Sequence, residues 1–355
     1  MLTRIRWAVM LLVVLLAVGQ VATADQVVPK GGPYNPRALM AKESERCTGD
    51  RYTFAVFGDS YANPILRSLL EMVDTCAPNF TVVLGDMVAA GAGKDGEKNW
   101  QMLSERAGWF FRSRPNWPVI GNHETDDSFE QGVKNFRSFY GLSDPNYSFI
   151  FHNAKFIVLG MDPDGRLVPP DQLAFLRKEL ADRSKYQHVF VFRHFPLYTI
   201  GMKDKDEVAN QETEIVKVLN ENHVTAVFSG HDHYYYRTRR NGVMHIISGV
   251  SGAGVYDLRR LAEQAPGDAY MGVSAAEDQV ILHVPGSVDR YAPFQGYYET
   301  GDQWLFAVLV HVNGSRVTAE AISMDGDVWD SFVISGDGFL SRNACGAAPV
   351  QATAK

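Results

Sequence analysis

The chain has 355 residues, of which 46% are hydrophobic and 12% aromatic, so it can bury a large core as one big domain or two modest ones. Its formal net charge of −7 leaves no basic footprint of the kind that nucleic-acid binding needs, so nucleic acid is not an expected partner. An anionic substrate would have to be attracted locally, for instance by a bound cation, and not by the overall field.

The first 24 residues have the pattern of a secretory signal peptide. Arg4 and Arg6 precede an apolar run at 7–18, and residues 22–24 form a small-x-small cleavage site. The alternative, an uncleaved anchor helix, is weaker because a run of about 12 residues is shorter than the ~20 needed to span a bilayer. The sequence therefore predicts a periplasmic or extracellular protein with no stable membrane anchor after cleavage.

Residues 25–50 are polar and rich in proline and glycine, which predicts an extended leader over the surface. Strands are predicted at 52–57, 80–84, 117–120, 188–192, 224–229 and 243–248, with an antiparallel pair at 147–150 and 155–160. Helices are predicted at 64–75, 97–112, 171–183 and 212–222. No repeat and no linker divides the chain, so 51–340 is expected to be one domain.

The last third of the chain has a different pattern. Residues 256–300 show no clean periodicity and carry many aromatic, proline and acidic residues, which indicates a long ordered insertion that could act as a lid. Alternating strands follow at 304–312, 316–323 and 328–334, with hairpin turns at Asn313-Gly314 and Asp325-Gly326. Residues 341–355 are small and polar and are expected to form a flexible tail.

The chain has three cysteines: Cys47, Cys76 and Cys345. Export permits a disulfide, and a Cys47–Cys76 pair is predicted because these two residues flank the first strand and helix. The odd cysteine argues against a disulfide scaffold, and the lack of a C-x-x-C motif argues against a thiolate zinc site.

Metal-capable side chains follow five of the predicted strands. They are Asp59, Asp86, Asn122 with His123, His194, and His231 with His233. A lone Gly-Asp turn or buried histidine is more often structural, but turn chemistry alone does not explain five such clusters. Neutral imidazole is the commonest metal ligand, and α/β folds place their sites at the carboxyl ends of strands. The pattern therefore predicts a dinuclear metal site.

These clusters resemble a known set of motifs. Gly58-Asp59, Gly85-Asp86, Gly121-Asn122-His123-Glu124, Arg193-His194 and Gly230-His231-Asp232-His233 are similar to the motifs of the calcineurin-like metallophosphoesterases, and within them to purple acid phosphatases and their bacterial relatives. The resemblance covers about residues 52–335. It implies a four-layer α/β fold in which two packed mixed β-sheets are flanked by helices, with the site at the strand ends.

The resemblance also implies a role for each residue. Asp86 would bridge two metals, Asn122, His194 and His231 would complete one site, and Asp59 and His233 would belong to the other. His123 would act as general acid towards the leaving alkoxide or as a hydrogen-bond donor to the phosphoryl oxygens. Such ligands favour two divalent or mixed-valence transition-metal ions (Fe, Mn, Zn or Co). Ions roughly 3.5–4 Å apart can hold a bridging hydroxide for in-line attack on phosphorus.

One position departs from the family patterns. Most of the superfamily has Asp-x-His in the first motif, where this chain has Tyr61. The purple acid phosphatases have a tyrosine three residues after the aspartate of the second motif, where this chain has Ala89. The site of Asp59 and His233 is therefore one protein ligand short of either pattern. Tyr61 either supplies a phenolate ligand from a new position or packs beside a site completed by water.

The leading hypothesis is an exported hydrolase of phosphate monoesters, favoured over diesters only by the resemblance to acid phosphatases. The expected partner is a small-molecule phosphate ester, and the oligomeric state is open. Arg193 and Asn63 either contact the phosphate or are structural. The alternatives are a phosphodiesterase or nucleotidase and, in another class, a non-catalytic binding protein on the same scaffold. Tyr61 is the only feature that favours the binding protein.

Overall fold

The structure is a computed structural model that describes residues 32–161, 169–198, 214–254, 280–282 and 305–336, apart from the side chains of 280–282 and 329. The strands are β1 (Arg51–Phe57), β2 (Phe80–Val83), β3 (Asn116–Pro118), β4 (Tyr147–Phe151), β5 (Ala154–Val158), β6 (His188–Arg193), β7 (Ala226–Ser229), β8 (Tyr235–Arg240), β9 (Val243–Ser248), β10 (Val280–Leu282), β11 (Phe306–Asn313), β12 (Arg316–Ser323) and β13 (Val328–Ser335). The helices are α1 (Pro36–Arg46), α2 (Leu66–Thr75), α3 (Gly96–Ser113), α4 (Asn122–Thr125), α5 (Phe129–Tyr140), α6 (Pro170–Leu180) and α7 (Glu214–Glu221).

The strands form two mixed sheets within the described residues. The first sheet has the order β13-β12-β11-β1-β2-β3, and the second has the order β10-β8-β9-β7-β6-β5-β4. In the first sheet β1, β2 and β3 are parallel, and in the second β5, β6, β7 and β9 are parallel. The carboxyl ends of parallel strands meet at one edge, which is where ligands bind in α/β sheets. The predicted fold class is confirmed.

The two sheets pack through aromatic side chains. Phe54 on β1 stacks on Phe80 of the same sheet at 5.3 Å between ring centroids. It also meets Phe156 and Phe190 of the second sheet edge-on, at 5.4 and 5.2 Å. All four rings are fully buried, and each contributes roughly 1.5–3 kcal/mol by leaving water. This layer fixes the relation between the two sheets, and with it the relation between the loops that follow their strands.

The outer face of the second sheet packs against α6 and α7. Leu176 on α6 and Leu219 on α7 are buried together with Val189 and Val191 of β6. The two helices show the apolar spacing that the sequence predicts, although α6 begins at Pro170, one residue before the expected start, with Pro169 as its N-cap. None of the helices within the described ranges has the length and apolar content needed to cross a bilayer.

The region expected to be an extended leader contains a helix instead. Pro36 occupies the first turn of α1, and Asn35 caps it by accepting a hydrogen bond from the backbone N–H of Arg37 at 2.9 Å. Met40 and Glu43 are buried, and Glu43 accepts a hydrogen bond from Asn79 at 2.7 Å. The prediction of extended chain is therefore wrong for 36–46, because a proline at the start of a helix was counted as a sign of irregular structure.

The predicted pairing of cysteines is also wrong. Cys47 is free and Cys76 is disulfide-bonded, so the two are not paired with each other. Position beside the same strand and helix was a poor guide, because a disulfide depends on distance in space and not along the chain. The signal peptide, most of the 256–300 insertion and the 341–355 tail lie outside the described residues.

Candidate metal centre

Three candidate ligands lie in left-handed backbone immediately after sheet strands. The φ angle is 61° at Asp59 after β1, 50° at Asp86 after β2, and 68° at His231 after β7. Such conformations cost non-glycine residues on the order of 1–3 kcal/mol each and are sustained only where surrounding contacts hold them. One such contact joins the two sheets, because the backbone N–H of His231 donates to Asp59 Oδ1 at 2.9 Å.

Four side chains converge to form what we term the first group: Asp86, Asn122, His194 and His231. His194 Nε2 lies 2.9 Å from Asn122 Oδ1 and 3.3 Å from Asp86 Oδ2. His231 Nδ1 lies 3.0 Å from the same Asn122 oxygen. Ligand atoms bound at about 2.1 Å to one tetrahedral or octahedral ion stand about 3.0–3.4 Å apart. The first group therefore has the spacing of ligands around a single ion.

His194 is oriented by the backbone. Its Nδ1–H donates to the Leu84 carbonyl at 2.8 Å, which turns Nε2 towards the first group. Burial lowers the pKa of His194, but the carboxylates of Asp86 and Asp59 outweigh burial and raise that pKa to about 10. A nitrogen that attracts a proton this strongly also attracts a metal cation, since both respond to the same negative charge.

Asp86 faces His194 with one carboxylate oxygen and His123 with the other. Its Oδ1 accepts the backbone N–H of His123 at 2.8 Å, while its Oδ2 faces His194. Burial raises the pKa of Asp86, but the positive charges of His194 and His123 reverse this and lower the pKa below its usual range. Asp86 is thus an ionised, buried carboxylate at the centre of the predicted ligands.

Asp59, His233 and Tyr61 form the second group. His233 Nδ1–H donates to the Gly254 carbonyl at 2.8 Å, and its Nε2 lies 3.8 Å from Asp59 Oδ1. Asp59 is fully buried, and its Oδ2 has no hydrogen-bond partner among the described residues. Burial raises the pKa of Asp59 well above its usual range. A bound cation would remove the cost of burying this oxygen unpaired.

Tyr61 extends its hydroxyl into this second group. The φ angle of Tyr61 is 50°, and its Oη lies 3.2 Å from His233 Nε2 and 3.0 Å from His123 Nε2. Its ring also packs on His123, with 4.5 Å between centroids. Tyr61 therefore touches both a predicted ligand and the predicted catalytic histidine. Its oxygen lies beside His233, in the group that the family patterns leave one protein ligand short.

His123 is held in one orientation by the loop that follows β2. Its Nδ1–H donates to the Ala89 carbonyl at 2.8 Å, so Nε2 faces the site, 3.9 Å from Asp86 Oδ2. The His123 side chain is 32% exposed, whereas that of His194 is 0% exposed. An external molecule can therefore reach His123 more readily than His194. Ala89 contributes to the site through its carbonyl, not through the side chain that differs from the purple acid phosphatase pattern.

Sequence reasoning missed one buried acid. Glu124 is 1% exposed, and its two carboxylate oxygens accept backbone N–H groups from both the loop after β2 and the turn before α4. Burial and then the charge of Asp86 raise the pKa of Glu124 to about 7. The signal in the sequence was its place directly after the Asn122-His123 pair.

Four other polar residues have structural surroundings. Asn63 Oδ1 accepts the N–H of Ile65 at 3.1 Å in the turn before α2, and Arg193 is buried in β6. His188 donates from Nε2 to the Gly314 carbonyl at 2.8 Å. His245 is buried on β9, where burial lowers its pKa to about 3. His188 and His245 thus differ from the site histidines, which face carboxylates, an amide oxygen or a phenol.

The donor set fits a transition metal. Its ligands are carboxylate, amide and imidazole atoms without a thiolate, and one ligand atom each from Asp86, His194 and His231 lies within 4.8 Å of the others. Two further donor atoms belong to the second group. They are the unpartnered Oδ2 of Asp59 and the Nε2 of His233, the ring nitrogen that is not bound to the Gly254 carbonyl.

Comparison with known families identifies this arrangement. A family model described as calcineurin-like phosphoesterase matches residues 52–235, just over half of the chain. The chain belongs to the calcineurin-like phosphoesterase family. Members act on phosphate esters and use divalent metals, which agrees with the donor set. The predicted superfamily is therefore confirmed.

The relatives include purple acid phosphatases. The chain is 28% identical over 200 residues to purple acid phosphatase 18 of Arabidopsis thaliana, covering 53% of this chain and 45% of the relative. The structure of purple acid phosphatase PPD1 from yellow lupin superposes with a TM-score of 0.60 at 17% identity, covering 87% of this chain and 57% of the lupin chain. The chain thus spans about half the length of these relatives.

The same fold occurs in GAP50, whose structure is described as the anchor in the inner membrane complex of Plasmodium. It matches with a TM-score of 0.55 at 13% identity, covering 81% of this chain and 90% of GAP50. At such identities these two structural likenesses show the shared fold alone.

Proposed function

We propose that the protein is an exported phosphoesterase with two metal ions that hydrolyses phosphate monoesters. The single observation that supports it most is the position of Asp86, a buried ionised carboxylate that contacts His194 and His123 and whose charge also acts on Asp59. A carboxylate in that position can serve two ions at once. The match to purple acid phosphatase 18 supports the choice of phosphate monoesters as substrates.

The residues divide between two ions. Asn122, His194 and His231 would hold one ion and Asp59 and His233 the other, with Asp86 shared. When bound, the ions would supply Lewis acidity and positive charge at phosphorus, chemistry that the acidic protein lacks. The chain's own contribution is to present these ligands in fixed orientations, since the Nδ1–H groups of His194 and His233 are bound to carbonyls.

His123 is the proposed general acid. Its Nδ1–H is held by Ala89, so the proton that it can give to a leaving alkoxide is carried on Nε2, the nitrogen that faces the site. Tyr61 Oη lies 3.0 Å from that nitrogen and can keep it directed towards the substrate. General acid catalysis of this kind contributes roughly 10²–10⁴-fold to the rate. The same geometry serves the alternative role, donation of a hydrogen bond to a phosphoryl oxygen.

The test uses protein stripped of metal and resupplied separately with Mn²⁺, Zn²⁺ or Fe²⁺. We expect metal-dependent hydrolysis of p-nitrophenyl phosphate that exceeds hydrolysis of bis(p-nitrophenyl) phosphate, and His123→Ala should abolish most of it while leaving metal binding unchanged. A preference for the diester would show a phosphodiesterase. Metal binding with no hydrolysis of either compound would favour a binding protein on the same scaffold.

Export is the second part of the proposal. It is supported by the charged, apolar and small-residue segments at the start of the sequence. N-terminal sequencing of the protein recovered from its native host should give a chain that begins at Asp25. Recovery of the full-length chain inside the cell would contradict export without affecting the proposed chemistry.

A further inference from the structure

One carboxylate bonds to both of the loops that present the central ligands. Glu124 Oε2 accepts the backbone N–H of Asp86 at 2.8 Å and that of Gly121 at 2.7 Å. Its Oε1 accepts the N–H of Met87 at 2.8 Å and that of Val88 at 3.4 Å. These hydrogen bonds are buried, where the low local dielectric makes them electrostatically stronger than in water.

The bonds reach beyond an ordinary helix cap. The bond from the Gly121 N–H to the Glu124 side chain is the half of a capping box that closes the start of α4, since glycine has no side chain to supply the other half. The other three bonds go to residues 86–88, which follow β2 and lie more than 30 positions earlier in the chain. Capping α4 therefore does not explain why Glu124 is buried where it is.

The two loops are also in close steric contact. A Cβ added to Gly121 would lie 2.3 Å from Asp86 Oδ1 and 2.9 Å from Glu124 Oε2, so glycine is required there. A Cβ added to Gly91 would lie 2.4 Å from the Glu124 carbonyl oxygen. The backbone around Glu124 therefore fits the Asp86 loop with no room for adjustment, and a small shift of one loop displaces a ligand of the other.

We propose that Glu124 is a positioning residue that sets the distance between Asp86 and Asn122, and so the metal affinity of the proposed centre. It would bind neither metal nor substrate. The part of this inference that concerns metal affinity rests on the proposed function. The part that concerns the two loops does not. A metal site typically loses 10–100-fold in affinity when a hydrogen bond that holds one of its ligands in place is removed.

The first measurement needs neither metal nor substrate. In the metal-free wild-type protein, amide hydrogen exchange at residues 86–88 and 121 should be slow. In Glu124→Gln the amide NH₂ must face one of the two pairs of N–H donors, so exchange should accelerate either at 86 and 121 together or at 87 and 88 together. The control is Glu320→Gln, which removes a buried carboxylate on β12, where Oε2 lies 3.4 Å from His311 Nε2; exchange at 86–88 should not change. Fast exchange in the wild type would overturn the proposal.

The second measurement is calorimetric titration with Mn²⁺. Affinity should fall about 10–100-fold in Glu124→Gln and in Glu124→Asp, whose shorter side chain keeps the carboxyl group but cannot reach both loops. The fall in kcat should exceed any rise in KM. Folded variants that exchange faster yet bind Mn²⁺ as the wild type does would overturn the positioning role. If the wild type itself binds no metal, the proposed function fails, and the exchange data still decide whether Glu124 holds the loops.

Discussion

The first and second groups of the candidate centre are built differently, although the proposed function assigns Asp86 to both. In the first group, ligand atoms face one another at 2.9–3.3 Å. In the second group His233 Nε2 lies 3.8 Å from Asp59 Oδ1 and 3.2 Å from the phenol oxygen of Tyr61. The first group has the spacing of a complete set of ligands, while the second depends on a residue that the family patterns do not place there. In the proposed centre, one metal position would therefore have a fixed set of ligands and the other a variable set.

Removal of the shared ligand should affect both groups and have the largest effect. Asp86→Ala should lower phosphatase activity by at least about 10³-fold and reduce bound metal from two ions to less than one, measured by atomic absorption. Asp74→Ala is the control, since Asp74 lies at the end of α2 and pairs with Arg114 away from the site. Retained activity in Asp86→Ala would mean that the two groups do not share this carboxylate.

Removal of one histidine from each group should separate them. His231→Ala should eliminate the ion of the first group, and His233→Ala should lower the occupancy of the second group while the first ion remains. We expect one tightly bound ion in His233→Ala at metal concentrations at which the wild type holds two. Equal losses of both ions in both variants would show that the groups bind as a single unit.

Metal binding by the first group should release protons. The pKa of His194 is raised to about 10, so at pH 7 this ring is protonated in the metal-free protein and must lose that proton to become a ligand. Metal affinity should therefore fall as pH falls, by about tenfold per pH unit for each proton displaced. Calorimetry in two buffers of different ionisation enthalpy measures the protons released.

The variant Asp59→Asn assigns those protons to a group. The raised pKa of Asp59 predicts that the second group also releases a proton. In Asp59→Asn only the release from the first group should persist, at roughly one proton per ion. No release at pH 7 in the wild type would contradict the protonation of His194.

The smallest effect is expected from Tyr61→Phe. Loss of one hydroxyl that contacts His123 and His233 corresponds to about 0.5–1.5 kcal/mol, or roughly two- to tenfold in rate. If the phenolate is a ligand, ferric protein should show a visible charge-transfer band that vanishes in Tyr61→Phe. A band that persists would restrict Tyr61 to orienting His123. Tyr61→His, which restores the commoner superfamily residue, should tighten the second ion.

The strand ends could be predicted from the sequence because hydrophobic runs and polar turns are local signals. β1, β6 and β9 lie within one residue of their expected bounds, and Asp59, Asp86 and His194 follow strands as expected. The hairpin turns at Asn313-Gly314 and Asp325-Gly326 were also predicted correctly, since each joins two antiparallel strands. Local chemistry was sufficient for these elements.

The parts that could not be predicted depend on contacts between distant segments. The carbonyls of Leu84, Ala89 and Gly254 orient three histidines, yet a carbonyl is present at every residue and leaves no trace in the sequence. The α5 helix and the β8 strand were both missed, although Ser128 caps α5 and β8 pairs with β9. Both elements gain their stability from the neighbours against which they pack.

The candidate ligands come from both sheets. Asp59, Asp86 and Asn122 follow strands of the first sheet, and His194, His231 and His233 follow strands of the second. Metal held between them would act as a cross-link over the seam of the molecule, present only in the folded state. At a free metal concentration 100 times the dissociation constant, each ion would add about 2.7 kcal/mol to the free energy of unfolding. The melting temperature of the protein would then depend on the metal concentration around it, and a chelator would lower that temperature.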